Sequence, residues 1–600
     1  MSGKMKTRFA VLCLLVICSI LLASCGSDEM PPTDNEQPTQ QVDNAGDNTG
    51  DNTGEDMGGE DQGSEDQGGE GEATQAPDTS GGGGGEAVAD TGFRPEVNGF
   101  SYPNYGDVGV TPTGETFAVT NVTSVEMRRL FGDGVCAAPP AEDGSCTLTP
   151  PANQWMDQNN ASMNGGHCEG FAVFSQMAYL GQVDPTQFGA NNVIDLQIKD
   201  NEALQREIAY WFSTQGPTWG EQQVLSPNEM VQYLISEYSN NPDNVYRLGI
   251  MKEDGTGGHA ITAYEVKDQG NGVYWVMVYD NNYPGQERHM VVDTNANTSE
   301  YDASINPSVE PDTYRGTENN KIFVASNELR LTTFPCPFCN GETSGNKGGN
   351  IHAASGQTFN ELWTEGYVNV ELEDDQGRFV GYDKDGKFVN EITDATVQPV
   401  MNGPLSEVPP IIKMPTGLGF TAYIYGDEKA ADIPASLVMI GKGFYIGVDN
   451  IVMAPDQEDQ LVFDAEGDFL TYTTDAEETP DIIVGIEKEK ADFELVLKAV
   501  EASPGTDIHV LFDQKEDTFA FETTSDAPAQ FSISITRIDE NGDEETFDTG
   551  DELITIDPEK FMYFYFGKWE GQGSNLEVGY DENGNGEIED SEITNMADAQ

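Results

Sequence analysis

The spacing of apolar and polar residues divides the chain into regions of different character. An apolar run covers residues 9–22, and residues 26–91 contain few apolar side chains. Apolar stretches long enough for helices and strands return at 93–340, and short alternating segments separated by turn residues follow. This pattern predicts a domain of helices and strands at 93–340, then β-sandwich-like modules at 349–478 and 479–600.

Two parts of the first folded region carry sharper predictions. The glycine-containing segment 164–167 leads into an apolar stretch from Cys168 to Leu180, which predicts a loop followed by a buried helix. A strand begins at His259 after two glycines, and a second strand, after a polar turn, ends beside Asp280. Antiparallel strands joined by such a hairpin would place His259 next to Asp280.

The N-terminus predicts an exported protein. Three basic residues precede the apolar run, which is too short to span a bilayer but has the length of a secretory signal. The run ends in Leu-Ala-Ser-Cys at 22–25, which resembles the lipobox of bacterial lipoproteins. The resemblance implies that the signal peptide 1–24 is removed and that Cys25 is acylated. The alternative is an ordinary secretory signal with a chance cysteine. We expect a lipid-anchored, extracytoplasmic protein of the cell envelope, at the outer membrane or cell surface.

Charge limits the partners of the folded surface. The formal net charge is −76, and residues 26–91 contain no lysine or arginine. A chain so acidic and so poor in apolar groups cannot bury a core, which predicts a disordered, Gly-rich tether over 25–92. Because nucleic acids and anionic lipids bind clustered basic residues, we expect no nucleic-acid partner and membrane contact only through the anchor.

The cysteines predict two disulfides and one free thiol. The folded mature chain would contain Cys136, Cys146, Cys168, Cys336 and Cys339. The natural pairs in an oxidising compartment are Cys136 with Cys146 and Cys336 with Cys339, which leaves Cys168 free. A zinc site built from the two pairs is a less favoured alternative, because only one pair has the short spacing of structural zinc ligands.

Cys168 has the surroundings of a nucleophile. A thiol at a helix N-terminus gains stabilisation of its thiolate from free backbone N–H groups, and His259 with Asp280 would supply a base and a residue that orients it. The order Cys, Gly-His-Ala, then Asp at a strand end resembles the papain-like cysteine hydrolase superfamily over roughly 95–335. The resemblance implies an α+β papain-like catalytic domain, followed by an all-β sandwich-like region, with Cys168 as nucleophile, His259 as general base and Asp280 as its orienting partner.

The resemblance is incomplete at two points. Papain itself has a Gln several residues before its Cys, whereas several amides precede Cys168 here, at 158–160 and 164; the candidate oxyanion donors are Gln158 and Asn164. An aspartate such as Asp280 as the residue that orients the histidine also makes the chain resemble bacterial transglutaminase-like and double-glycine-type peptidases. The substrate therefore stays open at this point.

One C-terminal motif predicts a metal site. The segment 581–592 fits a twelve-residue EF-hand-type loop with Gly586 at position 6. Its oxygen ligands for calcium would be Asp581, Asn583, Asn585, Glu587, Glu589 and Glu592. The alternative is an acidic turn, because the preceding residues have the pattern of a strand and not of a helix.

The sequence favours a membrane-tethered cysteine hydrolase, either a peptidase or an amidase. Its partner would be a protein or peptide substrate, and no cofactor is expected for catalysis. Two alternatives stay open: a non-catalytic adhesin or structural lipoprotein with a relic domain, and transglutaminase-like amide exchange.

Overall fold

The computed structural model describes residues 85–598, apart from 254, 256, 305–310, 341–358, 405–407, 428, 430–432, 456 and 465–466. The predicted signal peptide, Cys25 and all but the end of the predicted tether lie outside the described residues. None of the helices in the described part of the chain is long and apolar enough to cross a membrane.

The α-helices come early in the described chain. They are α1 (Pro95–Asn98), α2 (Ser124–Phe131), α3 (Pro150–Ser162), α4 (Cys168–Tyr179), α5 (Glu202–Ser213), α6 (Gln215–Thr218) and α7 (Pro227–Asn240). Capping boxes begin α2 at Thr123 and α7 at Ser226, each with a glutamate three residues later that bonds back to the cap. These side chains satisfy backbone N–H groups that have no partner within the helix.

A nine-stranded antiparallel sheet follows and packs against α4. Its strands are β1 (Glu86–Asp90), β4 (Gln223–Leu225), β5 (Tyr246–Ile250), β6 (His259–Gly270), β7 (Val273–Tyr279), β8 (Arg288–Asp293), β9 (Thr298–Ala303), β10 (Asp312–Gly316) and β11 (Ile322–Ala325). They run in the order β10-β9-β8-β7-β6-β5-β11-β4, and β1 pairs with β6. A small hairpin of β2 (Val108–Val110) and β3 (Thr116–Ala118) lies apart from this sheet.

Two larger antiparallel sheets form the C-terminal half. The ten-stranded sheet contains β12 (Phe359–Glu365), β16 (Thr396–Gln398), β17 (Ile411–Pro415), β19 (Ala435–Gly441), β20 (Phe444–Ile451), β23 (Asp481–Ile486), β24 (Ala491–Lys498), β27 (Ala529–Asp539), β28 (Glu544–Asp548) and β29 (Ile554–Ile556). The eleven-stranded sheet contains β13 (Val368–Asp374), β14 (Phe379–Tyr382), β15 (Phe388–Asn390), β18 (Phe420–Gly426), β21 (Glu458–Phe463), β22 (Phe469–Thr474), β25 (Asp507–Asp513), β26 (Thr518–Thr523), β30 (Phe561–Phe564), β31 (Leu576–Tyr580) and β32 (Ile593–Met596).

One hydrophobic core lies between these two sheets. It takes alternate residues from strands of both, such as Val370 and Leu372 from β13 and Ile533 and Ile535 from β27. Alternation with period two is what a sheet with one buried face requires. The predicted boundary near residue 478 falls between β22 and β23, which belong to opposite sheets of this one sandwich.

The predicted fold class, an α+β papain-like domain followed by an all-β sandwich-like region, is wrong for this chain. The described residues are mostly β, with 39% in strands and 19% in helices, and they form several antiparallel sheets. The helical region is short, and the described residues show no clear papain-like α+β core. The apolar stretch after Cys168 does form a helix. The predicted hairpin of His259 and Asp280, however, is only one part of a broad antiparallel sheet, because alternating segments continue on both sides of it after residue 246.

Both predicted disulfides are present. Cys136 and Cys146 have Cα atoms 5.8 Å apart, and Cys336 and Cys339 have Cα atoms 5.5 Å apart. Cys168 is the one free cysteine within the described ranges. The alternative zinc site does not form, because its four sulfur atoms are used in these bonds.

The sandwich also packs directly against the helical region. The Trp155 indole of α3 donates a 3.0 Å hydrogen bond to the buried carboxylate of Glu361 and makes an edge contact with Trp363. Lys413 pairs with the same carboxylate at 3.2 Å. A single apolar cluster contains Trp155, Trp363 and Tyr445, so the two regions share a core.

We predict that the chain becomes more stable as the pH falls from 8 to 5. Burial raises the pKa of Glu487, Glu494 and Glu522 in the sandwich to about 7. A raised folded-state pKa means that the folded chain binds more protons than the unfolded chain between about 4.5 and 7, so stability falls as the pH rises through this window. At about 1.36 kcal/mol for each pKa unit, each group contributes about 2–3 kcal/mol over this window, and urea unfolding at the two pH values measures the sum.

The variant Glu522→Gln serves as the matched control for that prediction. It removes one titrating group while keeping the shape of the side chain, so the difference between the two pH values should shrink. An equal midpoint at pH 8 and pH 5, or a higher one at pH 8, would contradict the pKa shifts.

Candidate active site

Cys168 is the first residue of α4 and is fully buried. Its Sγ accepts a hydrogen bond from the backbone N–H of Ala260 at 3.3 Å, and its carbonyl accepts one from Asn281 Nδ2 at 3.2 Å. The first N–H groups of a helix have no partner within the helix, and the positive end of the helix dipole lies there. The thiol is therefore held between a helix N-terminus and the start of β6.

The hairpin of β6 and β7 brings His259 and Asp280 together. Thr262 pairs with Tyr279, so the residue that begins β6 lies near the residue that follows β7. His259 Nε2 is 3.0 Å from Asp280 Oδ1, and both side chains are fully buried. The structure thus brings Cys168, His259 and Asp280 to one place, as expected from their order in the sequence, and their catalytic role stays a prediction.

The charges of this group favour a protonated histidine. Burial by itself lowers the pKa of His259, but the carboxylate of Asp280 and the neighbouring Cys168 more than offset burial and raise it to about 10. Burial by itself raises the pKa of Asp280, and His259 with the hydrogen bonds from Tyr301 and the Asn282 N–H holds it below its usual value. His259 and Asp280 therefore form a buried pair of opposite charges.

Three residues that the sequence analysis did not single out support the group. Tyr301 Oη donates to Asp280 Oδ2 at 2.6 Å, and the backbone N–H of Asn282 donates to Asp280 Oδ1 at 2.8 Å. Asn281 bonds the carbonyls of Cys168 and Ala260 and so ties α4 to β6. The Asn-Asn pair directly after Asp280 was a visible signal, whereas Tyr301 reaches the site only through the register of β9.

A buried ion cluster stands next to the thiol. Glu169, the residue after Cys168, pairs with Arg247 at 3.0 Å and with Arg330, and all three side chains are at most 1% exposed. Arg330 also bonds Thr214. Two guanidinium groups against one carboxylate leave a net positive charge beside the helix start that carries the thiol.

The predicted oxyanion donors make no hydrogen bond to the thiol in the described chain. Gln158 and Asn164 line a cavity of about 340 Å³ between α3 and the sandwich, and no hydrogen bond joins either side chain to Cys168, His259 or Asp280 within the described chain. The backbone N–H groups of the first turn of α4 are better placed, since they begin at Cys168 itself.

His167 is not a second base. It is fully buried, with ring nitrogens 2.7 Å from the Tyr105 carbonyl and 2.9 Å from Asn121 Oδ1. Burial lowers its pKa to about 4, so the ring is neutral. It positions the turn before Cys168 and does not face the thiol through a hydrogen bond.

The sandwich covers the site. Met401, from the segment between β16 and β17, is fully buried in one apolar cluster with Cys168, Ala172, Met251 and Ala260. Trp219 and Phe323 pack against the same cluster. The sequence predicted β-sandwich modules in this half of the chain, but its pattern did not single out Met401.

The predicted calcium loop keeps its two ends together. The carboxylate of Asp581 accepts hydrogen bonds from the Asn585 and Gly586 N–H groups at 3.2 and 2.9 Å, and Glu592 accepts one from Asn583 Nδ2 at 2.8 Å. The loop follows β31 and not a helix. Across the described ranges, no group of three or more His, Cys, Asp or Glu side chains is placed to hold a metal, so calcium binding stays a prediction.

Calcium at about 10 mM is expected to raise the stability of the chain by about 1.4 kcal/mol if the loop binds with a Kd near 1 mM, as weak extracellular sites do. The increase is measured as a shift of the thermal midpoint. Magnesium at the same concentration controls for ionic strength, and Glu592→Gln should abolish the difference. An equal shift in that variant would assign the effect to other carboxylates.

Comparisons with known proteins do not assign the chain to a family. No family model, curated protein or solved structure matches it.

Proposed function

We propose that this protein is an extracytoplasmic cysteine hydrolase, a peptidase or amidase, that is held to a membrane through Cys25 and acts by acyl transfer through Cys168. The observation that carries the proposal is the buried contact of His259 with Asp280 beside a free thiol at a helix N-terminus. A nucleophile, a base within reach and a third group that orients the base are the parts that covalent catalysis requires.

The first half of the reaction forms a thioester. The Cys168 thiolate attacks the carbonyl carbon of the scissile amide, and the oxygen takes the electron pair of the C=O π bond. N–H groups of the first turn of α4 would hold this oxyanion. The oxyanion collapses, the C–N bond breaks, and the His259 imidazolium gives its proton to the leaving amine.

The second half releases the acyl group. Neutral His259 takes a proton from water, the hydroxide attacks the thioester carbonyl, and the C–S bond breaks to give a carboxylic acid and the thiolate. The acid loses its proton, and His259 keeps the proton that it took from water. Asp280, fixed by Tyr301, keeps the imidazole ring oriented through both halves.

The test is acylation by a small activated ester such as p-nitrophenyl acetate, carried out in the Met401→Ala background because Met401 covers Cys168. We expect a thioester on Cys168, identified by peptide mapping and by its release with hydroxylamine, and nitrophenolate release that continues beyond one equivalent. Cys168→Ala should lose both, whereas the matched variant His509→Gln, which changes a buried histidine of the sandwich, should keep both. Equal nitrophenolate release by Cys168→Ala would refute the proposal.

Amide exchange uses the same residues, with an amine in place of water in the second half. Adding a primary amine to the same assay separates the two outcomes. Transfer of the acyl group to the amine in preference to water would assign exchange and not hydrolysis.

A further inference from the structure

Residues 399–404, here named the strap, cross the candidate active site from the sandwich. The strap follows β16 and begins the connection to β17. The backbone N–H groups of Asn402 and Gly403 both donate to the Gly258 carbonyl, at 3.1 and 3.0 Å, directly beside His259. The Met401 N–H donates to Gln215 Oε1 at 2.8 Å. The strap is therefore bound through its main chain, in the way that an extended peptide is bound.

Side chains fix the strap on the other side of the thiol. Asn104 Nδ2 donates to the Asn402 carbonyl at 2.9 Å, while Asn104 Oδ1 accepts from the His167 N–H at 2.6 Å. Asn402 Nδ2 donates to the Ser162 carbonyl at 2.8 Å. These bonds join the strap to the loop that leads into Cys168.

Two glycines admit the strap. A Cβ atom at Gly166 would lie 2.1 Å from the Asn402 carbonyl oxygen, and one at Gly258 would lie 2.5 Å from the Val400 carbonyl oxygen. These residues stand just before His167-Cys168 and before His259, where the absence of a Cβ allows another backbone to come close. The backbone that approaches them here belongs to the strap.

Met401 fills the apolar pocket at the thiol. Its side chain is fully buried with Cys168, Met251 and Ala260, and the site has no exposed catalytic atom while it is in place. A long apolar side chain suits this pocket, because Met251, Trp219 and Phe323 present apolar walls.

We infer that the strap is an internal substrate mimic that closes the site, and that the site takes an extended peptide with a long apolar residue at the position of Met401. The inference rests on the proposed function for its meaning as regulation. A substrate, or a partner that draws the sandwich segment away, must displace the strap before Cys168 can react.

The test compares alkylation of Cys168 by iodoacetamide in the chain with that in Met401→Ala, which empties the pocket, and Met401→Asp, which disfavours strap binding. We expect a rate about tenfold or more above that of the unchanged chain, the ratio for a lost contact worth about 1.4 kcal/mol. Met401→Leu, which refills the pocket, is the matched control and should stay near the original rate. If Met401→Asp does not fold, the comparison is made with Met401→Ala alone.

A synthetic peptide, Gln-Pro-Val-Met-Asn-Gly-Pro, should protect Cys168 of Met401→Ala from alkylation, and the same peptide with aspartate for methionine should not. Equal rates in the chain and in both variants would overturn the strap while leaving the proposed function intact. If the alkylation rate rises in the Met401 variants and adding His259→Gln does not change it, the strap covers the thiol but the proposed function is refuted. Equal protection by the methionine and the aspartate peptides would overturn the assignment of the pocket to Met401.

Discussion

Replacing His259 with glutamine is expected to slow acylation of Cys168 by about 10²–10⁴-fold, the usual contribution of a positioned general acid and base. His259 Nε2 is 3.0 Å from Asp280 Oδ1, and Cys168 is close enough to raise the pKa of the same ring. The ring nitrogens of His167 face Tyr105 and Asn121 instead. Glutamine keeps a polar side chain of similar length but cannot carry the proton. The rate is measured with the activated ester in the Met401→Ala background, so that access does not limit it.

Asp280→Asn tests the orienting role separately. The amide can still bond Tyr301 but carries no charge to stabilise the imidazolium. We therefore expect a smaller loss of acylation rate than in His259→Gln, and a fall of the rate that begins at a lower pH. The fall should come earlier because the carboxylate is the main support for the raised pKa of His259. An unchanged rate in both variants would mean that His259 and Asp280 only pack together.

Glu169→Gln is expected to destabilise the chain by about 3–5 kcal/mol, because it leaves two buried guanidinium groups without a counter-charge. Arg247 and Arg330 are each 1% exposed and share this one carboxylate. Burial already lowers the pKa of Arg330, which shows how strongly the surroundings disfavour its charge. Urea unfolding of the variant and of the unchanged chain gives the difference.

Arg330→Met is the matched variant for this cluster. It leaves Glu169 and Arg247 as a neutral pair and replaces the second arginine with an apolar chain of similar length, so we expect a smaller loss than in Glu169→Gln. The reverse order would show that Arg330 matters through its bond to Thr214 and not through charge balance.

Much of the site could be predicted because its parts are local. A helix start is marked by glycines before an apolar run, and a hairpin is fixed by its polar turn, so Cys168, His259 and Asp280 could each be placed on an element. Their contact follows from the pairing of β6 with β7. The disulfides could be predicted because four of the five cysteines form two pairs that are close in sequence, which leaves one cysteine unpaired.

The rest depends on long-range packing that local patterns do not encode. The fold class was wrong because the extent of the antiparallel sheets depends on pairing between distant strands, such as β5 with β11. Gln158 and Asn164 were chosen by closeness in sequence, but α3 turns Gln158 towards the sandwich. Met401 lies more than 200 residues from Cys168, and nothing in the segment 399–404 marks it as part of the site.

The most direct test of the account is the alkylation rate of Cys168 in Met401→Ala at pH 6 and at pH 8. If Cys168 and His259 act as the proposed thiolate–imidazolium pair, the two rates should be nearly equal. They should separate when His259→Gln is added. A rate about 80-fold higher at pH 8 without that change, as for an ordinary thiol with a pKa near 8.5, would contradict the proposed catalytic group.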